Sequence, residues 1–271
     1  MATDQVWAVT MVKDEADIIG ATVAHLIGEG VDGVLVADNL SADGTRAIVE
    51  GIADASPVPV IVVTDDEPGY YQSLKMTALA RRAADEGATW IVPFDADEIW
   101  YSAGEHRLAD TLRSLPDDVG VVRAALYNHF ATSLDTADPC PVRSMVYRQD
   151  EPGALPKVAF RWSPDAVIHQ GNHGVMHPGR VVDDAGVELR HFPYRTFEQF
   201  MRKARNGAEA YMATDLAPNV GAHWRQYGEI LERHGVDALR EVWSTWYWFL
   251  SPTDAGMVHD PAPFMRWNDV D

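Results

Sequence analysis

Short apolar runs alternate with helically spaced apolar residues in the N-terminal part of the chain. This pattern predicts strands at residues 5–12, 33–37, 58–63 and 90–94, and helices at residues 16–28, 45–55 and 72–87. Strands that alternate with helices form parallel sheets with right-handed crossovers. We therefore expect an α/β fold built on a doubly wound open sheet with helices on both faces.

The pattern changes after Glu98. It predicts a helix at residues 107–115 and strands at residues 119–127, 143–148, 157–162 and 187–191. From Thr196 onward the chain becomes helical, with a capping box at Thr196 and Gln199, a buried stripe at Phe197, Phe200, Ala204 and Ala208, and further helices at residues 222–234 and 236–250. We therefore separate residues 1–195 from a helical C-terminal region, residues 196–271, packed on the same domain.

Acidic residues follow the strand predicted at residues 90–94. The segment Asp95-Ala96-Asp97-Glu98 carries three carboxylates, which repel one another unless a cation or hydrogen bonds compensate. Oxygen ligands of this kind suit Mg²⁺ or Mn²⁺, which keep positions for water and substrate phosphates. The alternative is a solvated turn in which an aspartate caps a helix.

Polar residues also follow the first two predicted strands, as Lys13-Asp14-Glu15 and Asp38-Asn39. Ligands of doubly wound sheets bind at the carboxyl ends of the strands. Because these two segments and Asp95-Ala96-Asp97 follow strands of one predicted sheet, we expect all three to line one binding site.

Composition narrows the choice of ligand. The 271-residue chain is 46% hydrophobic and carries 41 acidic against 22 basic residues, a formal net charge of -19. This charge opposes binding to nucleic acid or to an anionic membrane surface. The densest basic cluster matches a small phosphate-bearing ligand or a solvated helix face, and comprises Arg190, Arg195, Arg202, Lys203 and Arg205.

Cys140 is the single cysteine, which excludes an intrachain disulfide bond. The first residues show no basic region followed by an apolar core, and no run of about 18 uncharged apolar residues occurs in the sequence. We expect a cytoplasmic protein without membrane insertion, and the sequence leaves its oligomeric state open.

Five segments in this order resemble family 2 glycosyltransferases with the GT-A fold, over roughly residues 5–210. They are Val12-Lys13-Asp14-Glu15, Asp38-Asn39-Leu40-Ser41-Ala42-Asp43-Gly44-Thr45, Phe94-Asp95-Ala96-Asp97-Glu98, Gly171-Asn172-His173 and Arg190-His191-Phe192-Pro193-Tyr194-Arg195. One departure is Asp14, where relatives often have asparagine. The resemblance implies transfer of a sugar from a nucleoside diphosphate sugar to a small-molecule or glycan acceptor, with residues 196–271 forming part of the acceptor site.

The resemblance also implies roles for individual residues. Mn²⁺ or Mg²⁺ would be bound by Asp97, with Asp95 reaching the metal through water or lying near the ribose, and with His191 as a third ligand. The nucleotide-binding residues would be Val12, Glu15, Asp38, Asp95 and Ala96. Lys75 and Arg195 either offset the diphosphate charge or pair with protein acids.

Family 2 enzymes generally invert the anomeric centre, which requires a base for the acceptor hydroxyl. Glu98 and His173 are the two candidates, and Glu98 has an alternative role as a partner of Arg or Lys. Two other functions stay open. One is a non-catalytic nucleotide- or carbohydrate-binding protein on the same scaffold. The other is a sugar-phosphate nucleotidyltransferase. It ranks lower because the glycine-rich phosphate loop of such enzymes is missing, since Thr10 to Glu15 contain no glycine.

Overall fold

The computed structural model describes residues 4–261. Its strands are β1 (Val6–Val12), β2 (Gly33–Asp38), β3 (Val60–Thr64), β4 (Trp90–Pro93), β5 (Glu98–Ser102), β6 (Val119–Asn128), β7 (Ala131–Thr132), β8 (Tyr147–Gln149), β9 (Lys157–Arg161), β10 (Val167–Ile168), β11 (Val175–Met176), β12 (Arg180–Val182), β13 (Val187–His191), β14 (Trp248–Phe249) and β15 (Met257–His259). The helices are α1 (Ile19–Gly28), α2 (Thr45–Ala55), α3 (Gln72–Asp85), α4 (Leu108–Arg113), α5 (Pro141–Ser144), α6 (Phe197–Met212) and α7 (Ala222–Trp246), with a 3-10 turn at Gln170–Asn172.

A mixed sheet forms the centre of the molecule, with strand order β3-β2-β1-β4-β9-β6-β13-β5 and β12 beside β6. Strands β1 to β4 are mutually parallel, β9 runs antiparallel to both β4 and β6, and β5 runs antiparallel to β13. The predicted α/β class and doubly wound sheet are confirmed. The carboxyl ends of β1, β2 and β4 lie at one edge of the sheet.

The core covers both faces of the sheet, as the side-chain alternation of a strand requires. In β1, Val6 and Ala8 pack into one cluster with Val23 and Leu26 of α1. Trp7 and Val9 point the other way, into a cluster built largely around α3. The strand ends are therefore held in a rigid frame.

Some predicted elements need correction. The strand at residues 143–148 is wrong in its first part, where α5 ends at Ser144 and β8 begins only at Tyr147. The apolar segment Glu98–Ser102 was not predicted as a strand, although β5 is completely buried and pairs with β13. Its acidic first residue obscured the strand pattern.

The helical region follows the prediction more closely. The Thr196 side chain accepts a hydrogen bond from the Gln199 backbone N–H, and Phe197, Phe200, Ala204 and Ala208 are buried. The two helices predicted at residues 222–250 form α7, which is kinked at Gly235 and followed by β14. Residues 262–271 of the predicted region lie outside the described residues. None of the helices within residues 4–261 combines the length and the hydropathy that a membrane span requires.

Candidate active site

A cavity of about 340 Å³ opens at the carboxyl ends of β1 and β4, within the size range of small-molecule sites. Its lining comes from the segment after β1, the segment after β4, the loop around the 3-10 turn, the end of β13, and helix α6. The structure thus brings together most of the residues that the sequence assigned to one site. The predicted ligands Val12, Glu15, Asp95, Ala96 and Asp97 and the histidines His173 and His191 all line it.

Helix α6 forms one wall of this cavity. Arg202, Asn206 and Ala210 are spaced four residues apart and share a helical face, and Lys203 lies beside them. Arg205 is exposed on the same helix and does not line the cavity. The basic cluster found in the sequence is therefore divided, because Arg202 and Lys203 line the cavity, Arg205 is exposed, and Arg190 and Arg195 are buried outside the lining. Only the fold makes this division visible.

Asp97 is 2% exposed, and positive groups surround its carboxylate. Its Oδ2 accepts a hydrogen bond from Lys203 Nζ at 2.5 Å and lies 3.6 Å from Arg195 Nη1. Burial raises the pKa of Asp97, but Lys203, His191 and Arg195 outweigh burial and hold the pKa well below its usual value. Asp97 is therefore an anion at neutral pH.

The second oxygen of Asp97 faces a histidine. Asp97 Oδ1 lies 3.6 Å from His191 Nε2, while His191 Nδ1 lies 2.8 Å from Asn128 Oδ1. Because Asn128 Oδ1 is an acceptor, Nδ1 carries a proton, so Nε2 presents a lone pair to the carboxylate in the neutral ring and an N–H donor in the protonated ring. Two such acceptors repel each other unless a proton or a metal ion lies between them.

Asp97 and His191 fit a divalent metal ion whose remaining coordination positions are filled by water and a bound ligand. Within residues 4–261, no three His, Cys, Asp or Glu side chains are grouped to hold a metal by themselves. Mg²⁺ and Mn²⁺ sites commonly use one or two protein ligands and take the rest from water and phosphates. The contact of His191 with Asn128 is the type that orients a ligating imidazole.

Asp95, the other acid of the predicted metal site, is held by the protein. Asp95 Oδ2 accepts a hydrogen bond from Lys157 Nζ at 2.7 Å. Its Oδ1 accepts hydrogen bonds from Gln72 Nε2 at 3.2 Å and Asn172 Nδ2 at 3.0 Å. The geometry of Asp95 therefore gives no support to direct metal binding, and its predicted indirect or ribose-binding role stays a prediction.

Glu98 does not line the cavity and is 0% exposed. Its Oε1 lies 2.8 Å from Lys157 Nζ, and its Oε2 accepts hydrogen bonds from the Asp95 backbone N–H and Trp100 Nε1. Burial raises the pKa of Glu98, and Lys157 opposes that rise. In this geometry Glu98 cannot reach an acceptor hydroxyl, so we correct its role from candidate base to partner of Lys157.

His173 does line the cavity, and its predicted role as a base stays a prediction. Its Nδ1 lies 3.0 Å from the Pro156 carbonyl oxygen, which only accepts, so Nδ1 donates and Nε2 keeps a free lone pair in the neutral ring. Burial, followed by the positive charge of Lys157, lowers the pKa of His173 below 6.5. Gly171 has a φ of 84°, and a Cβ there would lie 2.6 Å from the His173 ring, so this loop requires glycine.

Asp14 joins three parts of the site. Its φ is 54°, its Oδ1 accepts a hydrogen bond from the Ala42 backbone N–H, and its Oδ2 accepts one from Asn206 of α6, each at 2.7 Å. Neighbouring Glu15 pairs with Arg195, and Lys203 Nζ lies 3.3 Å from Glu15 Oε1. The segment after β1 is therefore fixed to both the β2 loop and α6.

Asp38 lies just behind the cavity lining and is 3% exposed. Its Oδ2 accepts a hydrogen bond from the Ser41 backbone N–H at 3.4 Å. Its Oδ1 is buried and has no hydrogen-bond partner among the described residues. Leaving a buried carboxylate oxygen unbonded is costly, and the predicted nucleotide-binding role of Asp38 stays a prediction.

Two predicted phosphate-binding residues need correction, since neither lines the cavity and both are paired with carboxylates of the protein. Lys75 Nζ binds Asp65 Oδ2 and the Glu67 carbonyl oxygen, each at 2.6 Å. The Arg195 side chain is 1% exposed and binds Glu15, Asp17 and the Phe192 carbonyl oxygen. Both cations therefore pair with acids of the protein, which is the alternative that the sequence left open.

Sequence reasoning missed Lys157 and the aromatic residues of the cavity wall, which include Tyr70, Tyr211 and Trp224. Lys157 begins a predicted strand, and nothing in the local pattern shows that it faces two acids 62 and 59 residues away. For the part of the cavity wall that α6 provides, the sequence did hold a signal, because residues 203, 207, 210 and 211 share one side of the predicted helix.

Comparison with known proteins gives one family match. Residues 7–154 match the family described as Glycosyl transferase family 2. No curated protein matches the chain.

Among solved structures, S. aureus TarS is 14% identical, with a TM-score of 0.40 over 85% of this chain and 43% of that chain. TarS 1–349 in complex with UDP is also 14% identical, with a TM-score of 0.39 over 89% and 75% of the two chains. Glucosyl-3-phosphoglycerate synthase from Mycobacterium tuberculosis, in complex with Mn²⁺, UDP-glucose and phosphoglyceric acid, is 20% identical, with a TM-score of 0.30 over 45% and 44%. The chain spans less than half of the full TarS and synthase chains.

Proposed function

Because the chain belongs to glycosyl transferase family 2, we propose that it is a metal-dependent, inverting glycosyltransferase of the GT-A fold. It moves a sugar from a nucleoside diphosphate sugar to a hydroxyl of a small-molecule or glycan acceptor. The donor binds at the carboxyl ends of β1, β2 and β4, where the cavity lies.

The observation that carries this proposal is the 3.6 Å approach of Asp97 Oδ1 to His191 Nε2 at the cavity surface. A carboxylate and an imidazole lone pair at this distance are suited to share a divalent cation. Lys203 occupies the other oxygen of Asp97, so it stabilises the negative charge without covering Oδ1.

Asp97 and His191 would hold Mn²⁺ or Mg²⁺. When bound, such an ion supplies positive charge to the diphosphate as it leaves the anomeric carbon. The protein itself contributes fixed positive charge through Lys157 and Lys203, both of which line the cavity. These ammonium groups neutralise Asp95, Glu98 and Asp97, so the three acids do not repel the diphosphate at full strength.

His173 is the proposed base. Its Nε2 takes the proton of the acceptor hydroxyl as that oxygen attacks the anomeric carbon from the side opposite the diphosphate. The Pro156 carbonyl oxygen holds the tautomer in which Nε2 is free, and it stabilises the imidazolium that forms. Attack from the opposite side inverts the anomeric centre.

Nucleotide recognition falls to the segments after β1 and β2. The unbonded Asp38 Oδ1 accepts a hydrogen bond from a ring N–H of the nucleobase, and Val12 and Glu15 line the adjacent cavity surface. The C-terminal region supplies the opposite wall through α6 and Trp224, where the acceptor binds. Aromatic rings such as Tyr70, Tyr211 and Trp224 suit the apolar face of a sugar.

The test is turnover of a donor panel. The purified protein is incubated with UDP-, GDP-, ADP- and dTDP-sugars and Mn²⁺, and binding is measured by calorimetry alongside release of the nucleoside diphosphate. We expect one nucleotide class to bind and to be turned over in the presence of an acceptor. Binding without turnover across a broad acceptor panel favours the non-catalytic alternative, and no binding to any donor contradicts the proposal.

A further inference from the structure

The cations that line the cavity fall into two groups. Lys157 lies 2.7 Å from Asp95 and 2.8 Å from Glu98, and Lys203 lies 2.5 Å from Asp97. Both ammonium groups also contact a backbone carbonyl oxygen. The hydrogen-bonding capacity of these two lysines is therefore used by the protein.

Arg202 and Lys13 belong to the other group. Both line the cavity. Within residues 4–261, neither charged group forms an ion pair with a carboxylate oxygen at 4.0 Å or less. Arg202 Nη2 reaches only the Asp14 carbonyl oxygen, at 3.4 Å. Lys13 Nζ reaches the carbonyl oxygens of Asn39 and Leu40, at 2.8 and 3.3 Å.

Carboxylates are abundant in this chain, so cations without a carboxylate partner are unexpected in this cavity. The chain has 41 acids for 22 Lys and Arg residues, and four of those acids line the same cavity. A guanidinium carries five N–H donors, and a single long hydrogen bond leaves most of them without a protein partner. Such a fork matches the oxygens of a phosphate group.

We propose that Arg202, together with Lys13, binds the diphosphate of the donor and stabilises it as the leaving group. Both cations contact the segments that follow β1 and β2, which the proposed function gives to the nucleotide. This inference rests on that proposed function. As the bond from the anomeric carbon to the diphosphate oxygen breaks, its electron pair stays on that oxygen, and the two fixed cations offset the added charge.

The experiment compares three classes of ligand on three proteins. UDP and GDP, their free nucleosides, and inorganic diphosphate as a competitor are titrated by calorimetry into wild type, Arg202→Gln and Arg205→Gln, all with Mn²⁺. Arg205 is the matched control, since it lies on the same helix and is exposed outside the cavity. We expect Arg202→Gln to weaken binding of the nucleoside diphosphate by about ten- to hundredfold, and to weaken competition by inorganic diphosphate equally.

The free nucleoside should bind wild type and Arg202→Gln equally, and Arg205→Gln should bind every ligand as wild type does. If thermal melting shows that Arg202→Gln is unfolded, Lys13→Gln carries the test with the same expected direction. Wild-type affinity for the diphosphate in the folded variants overturns this inference alone. A wild type that binds neither nucleotide and none of the donor panel overturns the proposed function, and this inference with it.

Discussion

The two sides of the cavity differ in whether their charged groups have partners within the protein. On the inner side, Asp95, Glu98 and Lys157 form a buried cluster in which each charge has a protein partner. On the nucleotide side, Lys13 and Arg202 have no carboxylate partner in the ion pairs of residues 4–261, and Asp38 Oδ1 has no hydrogen-bond partner there. The inner side is complete within the folded protein, whereas the nucleotide side offers unsatisfied groups.

This difference separates groups that shape the site from groups that recognise a ligand. A buried charge pair fixes side chains, and breaking it costs stability because one charge is left unpaired. A cation without a carboxylate partner contributes less to the fold than a buried charge pair, and it can gain an anionic partner on binding. Asp97 lies between the two sides, with one oxygen held by Lys203 and the other facing His191.

The largest expected effect is on catalysis, from His173→Gln. We expect turnover to fall by on the order of a hundred- to ten-thousandfold, because the base is lost while the cavity keeps its shape. Donor binding should persist. His234→Gln is the control, since His234 is exposed on α7, and it should leave the rate unchanged. Equal turnover in His173→Gln and wild type would remove His173 from the mechanism.

The same residue sets the pH dependence. Burial, followed by Lys157, lowers the pKa of His173, so the ring is neutral and able to accept a proton at pH 7. The wild-type rate should therefore fall as the pH drops through a value below 6.5 and stay level just above it. This acid limb should be absent in His173→Gln, and the full pH-rate profile of both proteins checks it.

Lys157→Met tests the inner side through stability. It leaves Asp95 and Glu98 without their shared cation, and we expect a loss of about 3–5 kcal/mol in the free energy of unfolding, measured with urea. The control is Arg180→Gln, which removes the exposed pair with Asp118 and should cause no measurable loss. Similar losses in the two variants would show that the inner cluster is not the structural element described above.

Asp38→Asn gives the smallest effect and tests the nucleotide side. We expect binding of the preferred nucleoside diphosphate to weaken by about tenfold, since a charged acceptor is replaced by a neutral amide, with no change in melting temperature. Asp66→Asn is the control in the exposed loop after β3. A drop in melting temperature with unchanged nucleotide affinity would place Asp38 among the structural groups.

Strand and helix periodicity predicted most of the sheet and the helices, and strand-end polarity placed Asp97 at one edge, because both are local signals. His173 and His191 were assigned to the site through the resemblance to family 2 glycosyltransferases, and they line the same cavity. The sequence could not decide which charges pair. Lys75 and Arg195 looked like phosphate ligands but bind Asp65, Glu15 and Asp17, all contacts set by tertiary packing. Lys157 was missed for the same reason, since its partners come from another strand end.

The most direct test of the central claim is anomalous diffraction from crystals grown with Mn²⁺ and the preferred nucleoside diphosphate. We expect the strongest manganese peak at bonding distance from both Asp97 Oδ1 and His191 Nε2, with the diphosphate completing its coordination. Asp97→Asn crystals should lack this peak. Manganese bound elsewhere, with Asp97 and His191 contacting only protein groups in the nucleotide complex, would contradict the account.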